Sequence, residues 1–170
     1  TGRNDREHIG WKKFRHGGIL PAYLALNTRP SAPRTRPRTP MATIAHAAIW
    51  TSELERSRRF YETYFGGSAG DRYVNEEKDF TSYFLEFDSG TRLELMHRPD
   101  LERGSEYAAT PREGYAHLAF SVGSEEAVEV LTERLREDGY EIAGEPRRTG
   151  DGYYESVVLD PGGNPVEITA

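Results

Sequence analysis

Apolar positions along residues 42–170 follow two periods, and the periods alternate in the same order twice. Residues 44–50 form a short apolar run from Ile44 to Trp50 and read as a strand. The spacing then becomes helical, with Leu54, Ser57, Tyr61, Tyr64 and Phe65 on one face. Ser52 stands at the N-cap position with Glu55 three residues on, the signature of a capping box, and Gly66-Gly67 supply the stop. Two or three strands follow, the clearest over 81–87 and 91–97, joined by a tight turn at Asp88-Ser89-Gly90.

The second stretch repeats this layout. Residues 115–122 read as a strand, and Ser124 caps a helix whose first turn carries Glu125 and Glu126. Val128, Leu131 and Leu135 give that helix its apolar face, and Gly139 ends it. Residues 153–159 and 166–169 form a closing hairpin around Asp160-Pro161-Gly162-Gly163-Asn164. The hairpins FLEFDSGTRLEL and SVVLDPGGNPVEI match closely, the second being one residue longer in the turn. The expected fold is therefore α+β, with a βαβββ order occurring twice: module 1 over 42–97, a polar connector over 98–114, and module 2 over 115–170.

Charge separates this domain from what precedes it. Residues 1–40 hold nine of the 22 Lys/Arg and two of the 28 Asp/Glu, leaving 13 bases and 26 acids for the rest. Residues 27–40 contain four of the ten prolines and no apolar periodicity, a composition that buries too little surface to offset its ordering entropy. Residues 1–41 are thus expected to be a basic Pro/Arg-rich extension, disordered or foreign to the domain. A transit or nucleic-acid-binding arm is the competing reading, but the amphipathic spacing of a transit helix is missing. The acidic body argues against nucleic-acid binding by the folded part. No apolar run approaches the roughly 20 residues of a bilayer span, so a cytoplasmic protein is expected. With no cysteine in the chain, any metal would be held by His, Asp or Glu.

Four residues recur at matching places in the two modules. His46 and His117 lie in the opening strands, within Ala-His-Ala-Ala and Ala-His-Leu-Ala. Glu94 and Glu167 lie in the closing strands, within Leu-Glu-Leu and Val-Glu-Ile. The His-to-Glu separations are 48 and 50 residues. A lone histidine in an apolar strand is usually a hydrogen-bonded core residue, and a lone Glu between leucines is usually the solvated position of an alternating strand. Their joint recurrence points instead to a divalent ion, because buried carboxylates need a partner. Two imidazoles and two carboxylates suit Ni, Co, Zn, Mn or Fe and leave coordination positions free for water or substrate. His97 falls three residues after Glu94, on the opposite strand face, and is read as a connector residue.

The opening strand with its helix ending RRFYETYFGG, the GYAHLAFSV strand and the closing LDPGGNPVEI together resemble the vicinal oxygen chelate superfamily. That superfamily includes glyoxalase I, extradiol dioxygenases, epimerases and the bleomycin and fosfomycin resistance proteins. The resemblance implies two paired βαβββ modules forming curled, barrel-like mixed sheets around a metal. It implies His46, Glu94, His117 and Glu167 as ligands. The His/Glu/His/Glu set is similar to bacterial glyoxalase I, a metal-dependent lactoylglutathione lyase. The activity implied is transfer of a proton next to a carbonyl through an enediolate, with Glu167 as base and Glu94 as the opposing carboxylate. Where glyoxalase I holds glutathione with an arginine and an asparagine, this chain has Trp50 and Arg98, which points away from glutathione. Trp50, Tyr83, Arg98 and Tyr154 are the expected pocket residues, and a homodimer acting on a small molecule is the expected assembly. An epimerase or dioxygenase of the same superfamily, or a small-molecule-sequestering protein, are the competing readings. Sequestration needs no ion with open positions, so the two glutamates weigh against it.

Overall fold

The computed structural model describes residues 42–102 and 113–170; the expectations for residues 1–41 and for 103–112 of the connector lie outside the described residues. Residues 42–170 contain strand β1 (Ala47–Trp50), helix α1 (Leu54–Phe65), then β2 (Ser68–Ala69), β3 (Tyr73–Asn75), β4 (Phe80–Glu86) and β5 (Arg92–His97). The order recurs as β6 (Leu118–Ser121), α2 (Glu125–Glu137), β7 (Ile142–Arg148), β8 (Tyr154–Leu159) and β9 (Pro165–Thr169).

Each module builds one mixed sheet with the same strand order. The first runs β1-β5-β4-β2, with β3 also on β4, and the second runs β6-β9-β8-β7. Both opening strands pair parallel with the closing strand of their own module, and the remaining neighbours are antiparallel. β2 and β3 together fill the place that β7 holds alone in the second sheet. Both strand orders are open, so neither sheet is a closed barrel.

Period-two alternation assigns the two faces of each sheet. Leu85, Leu93 and Leu95 of the first sheet and Val158, Val166 and Ile168 of the second are buried, together with Phe60 and Tyr61 of α1 and Val128 and Leu135 of α2. Each such side chain contributes about 1.5–3 kcal/mol by leaving water. The modules meet through aromatic rings: Phe65 of α1 lies 4.5 Å from Phe120 of β6, and Phe60 lies 4.9 Å from Tyr140.

The helix starts differ from expectation in one case. Ser124 caps α2 as predicted, accepting from the Ala127 amide at 3.1 Å. At α1 the N-cap is Glu53, not Ser52, and no capping box forms. Thr51 takes over that end, its hydroxyl accepting from the Glu53 amide and bonding Ser57 at 2.7 Å. Glu55 is instead engaged by the Tyr83 hydroxyl and by Arg58. Among the described residues, no helix is long and apolar enough to cross a membrane.

Candidate metal centre

Parallel pairing sets Ala48 opposite Glu94 in the first sheet and Ala119 opposite Glu167 in the second. His46 and His117 each lie two residues before the alanine, so each imidazole shares a face with the carboxylate of its own module. The Nε2 of His46 is 3.7 Å from Oε2 of Glu94, and the Nε2 of His117 is 3.4 Å from Oε2 of Glu167. Both histidines precede their strand by one residue instead of lying midway along it. Their side chains are correspondingly 37% and 44% exposed, while the two carboxylates are 15% and 16% exposed.

Two donors held about 2.1 Å from one ion stand roughly 3.0–3.4 Å apart at cis-octahedral or tetrahedral angles. The two pairs are close to that spacing, and the donor types are those of a borderline divalent ion. Among the described residues, each carboxylate has its histidine as its sole ion-pair partner, so neither is already neutralised by Lys or Arg. Each pair therefore fits as half of a metal site. The four candidate ligands do not converge: among the described residues no group of three or more His, Asp or Glu side chains is placed to hold one metal ion. The pairs stay separate because each is formed by the first and last strands of its own sheet.

A cavity of about 350 Å³ lies between the modules, lined by Ala47, Ala48 and Ile49 on one side and by Ala116, His117 and Leu118 on the other. Glu167 is the perturbed group of the second pair. Burial pushes its carboxyl above the ordinary range; His117 opposes that shift, and the neighbouring Glu155 carboxylate reinforces it.

The expected pocket residues divide. Trp50 shares the Glu94 face by alternation, is 44% exposed, and stands edge-on to Phe80 at 6.1 Å. Phe84, directly across from Glu94, was not expected there; it stands edge-on to His46 at 5.2 Å. Tyr83 and Tyr154 are corrections. Tyr83 pairs with Leu95 and donates to Glu55 of α1, and Tyr154 donates to Glu129 of α2, so both occupy the helix-covered faces. Arg98 lies beyond β5 and is held by Asp100 at 2.8 Å. His97 bonds the Thr51 carbonyl through Nδ1, away from Glu94. Arg147 and Glu155, on the Glu167 face, were missed by sequence reasoning. Two register shifts in β7 break the alternation that would have revealed them.

Comparison with known proteins agrees with this architecture. The family model described as the Glyoxalase/Bleomycin resistance protein/Dioxygenase superfamily matches residues 43–168. Over 131 residues, the chain is 31% identical to the uncharacterized protein YwkD of Bacillus subtilis, covering 75% of this chain and 96% of that one. Among solved structures, a glyoxalase family protein from Enterococcus faecalis superposes with a TM-score of 0.62 at 26% identity, covering 75% of this chain and 97% of the other. The trypanothione-dependent glyoxalase I of Leishmania major superposes with a TM-score of 0.59 at 25% identity, covering 76% and 86%.

Proposed function

Since the chain belongs to the Glyoxalase/Bleomycin resistance protein/Dioxygenase superfamily, we propose that it is a metal-dependent enzyme of the glyoxalase I type, a lyase or isomerase that moves a proton next to a carbonyl. The observation that carries this reading is the repeated register. In both modules a histidine one residue before the first strand meets a glutamate paired with the alanine two positions on. The His46–Glu94 pair and the His117–Glu167 pair would each supply half of the ligands of a divalent ion of the Ni, Co, Zn, Mn or Fe group. When bound, the ion supplies Lewis-acid polarisation of vicinal substrate oxygens, which acidifies the C–H between them.

Glu167 takes the role of base. It is largely buried beside His117, so water does not level its basicity, and burial pushes its carboxyl upward toward the range useful for proton transfer. Glu94 stands as the matching carboxylate of the other half. Trp50 and Phe84 form an apolar wall on the Glu94 side. Trp50 and Arg98 stand where glyoxalase I places its two glutathione contacts, so this chain lacks that pair of contacts and the reading does not depend on glutathione.

The proposed assembly is a homodimer; light scattering that finds only monomer counts against it. The chemistry is tested by metal loading and turnover together. Protein exposed to Ni or Co and freed of loose ion should retain metal and convert methylglyoxal in the presence of a thiol, and Glu167→Gln should abolish that conversion. Failure of the wild type to retain any ion would sink the reading. Oxygen consumption with a catechol and Fe(II) would replace the lyase by a dioxygenase.

A further inference from the structure

Arg147 is the one basic residue that β7 presents on the Glu167 face. It lies directly across from Glu155, which lies across from Thr169, and Val157 stands across from Glu167. Alternation therefore places Arg147, Glu155, Val157 and Glu167 on one side of the second sheet. The neighbouring basic and acidic residues of β7 point elsewhere: Arg148 pairs with Glu125 of α2, and Glu145 accepts from Arg136 of α2 at 2.7 Å. A one-residue register shift between Gly144 and Arg147 produces this division, since an extra residue in one strand re-aims the side chains that follow it.

The guanidinium is seated. One terminal nitrogen donates to Oε1 of Glu155 at 3.0 Å, and the other lies over Gly144, 3.2 Å from where a Cβ would stand. Glu155 is 11% exposed and Arg147 is 52% exposed, so a buried carboxylate braces a cation whose outer edge remains open. A planar fork with free N–H groups on the same sheet face as the proposed base is a receptor for an oxyanion.

We propose that Arg147, braced by Glu155, binds an oxyanion of the substrate, so that the molecule processed here carries a carboxylate or phosphate beside its vicinal oxygens. This rests on the proposed reading of Glu167 as the base of the same face, and it names the substrate class for that site.

Two anionic and neutral pairs test it: pyruvate against methyl pyruvate, and dihydroxyacetone phosphate against dihydroxyacetone. Binding is measured by calorimetry on the full chain, with and without cobalt. The wild type should bind the anionic member of at least one pair more tightly, and the pair that shows it separates carboxylate from phosphate. In Arg147→Gln that member should lose about 10- to 100-fold in affinity, the scale of a charge-assisted bond, with the neutral member unchanged. Arg147→Gln/Glu155→Gln, which strands no buried charge, should behave the same way, and Glu155→Gln alone should keep most of the preference. No anion preference in wild type, or a preference that survives in both variants lacking Arg147, overturns the proposal. Cobalt content of the same samples reports on the underlying metal reading. Cobalt retention without anion preference sinks only the Arg147 proposal, while anion preference without cobalt retention sinks only the metal.

Discussion

The hydroxyl of Tyr61 in α1 donates to Oδ2 of Asp160, 99 residues further along, at 3.0 Å in the buried seam between the modules. Asp160 also accepts from the amides of Gly162 and Asn164 and from the Asn164 side chain, whose amide reaches the Trp50 carbonyl at 3.4 Å. The second module's closing turn is thus tied to both α1 and β1 of the first. Tyr61→Phe removes one donor and leaves Oδ2 of the buried Asp160 with the Asn164 side-chain amide as its remaining partner. It should lower stability by about 1–3 kcal/mol, read as a lower urea midpoint with an unchanged slope. A midpoint within error of wild type would mean that the Tyr61–Asp160 bond adds nothing to the joining of the modules.

Asp160 also sets a pH dependence. Burial raises its carboxyl above the ordinary 3.8, against the lowering effect of its four hydrogen-bond donors. The folded state therefore holds this proton more tightly than the unfolded chain does. Asp160's contribution to stability is greatest below 3.8, declines as pH rises through its folded value, and is constant above that. Asp160→Asn lacks the titration. The stability difference between wild type and variant should accordingly move against wild type as pH rises above the ordinary 3.8, followed by urea unfolding at several pH values. The opposite slope would show that the hydrogen bonds outweigh burial.

Glu155 stands beside Glu167, and its negative charge helps hold that carboxyl upward. In Glu155→Gln the repulsion is gone while Arg147, released from its partner, still favours the charged form. Glu167 should therefore titrate at lower pH than in wild type, measured by carbon NMR of the side-chain carboxyl on metal-free protein. An unchanged or raised value would mean that Arg147 and Glu155 act on Glu167 as a neutral unit.

The repeat made most of this fold legible, because each helix stop and each closing hairpin could be checked against its counterpart. His46, Glu94, His117 and Glu167 were singled out from spacing, and the parallel pairing shows what that spacing reflects: register brings each histidine onto the face of its own module's glutamate, at Ala48–Glu94 and Ala119–Glu167. Tyr83 and Tyr154 were misassigned because aromatic character carries no facing information without the register across a hairpin. Arg147 was invisible for the converse reason, since the two shifts in β7 break the period that would have aligned it with Glu155. The failed capping box at Ser52 has a local cause. Thr51 meets the first turn of α1 before Ser52 can, and Tyr83 captures Glu55 from across the sheet.

The separation of the two His–Glu pairs makes metal binding readable as a stability effect. An ion that binds only the folded protein adds about 2.7 kcal/mol at a concentration one hundred times its dissociation constant. Cobalt or nickel should therefore raise the melting temperature of wild type in a concentration-dependent way. His117→Ala and His46→Ala each remove one ligand from one pair. If a single ion engages both pairs, either substitution should weaken the whole response, and the double variant should lose nothing further once it is abolished. If each pair instead took its own ion, each single variant would keep half of the bound metal and a second melting increment. Elemental analysis together with melting curves separates the two cases. The four-ligand centre stands only if the effects of His46→Ala and His117→Ala fail to add.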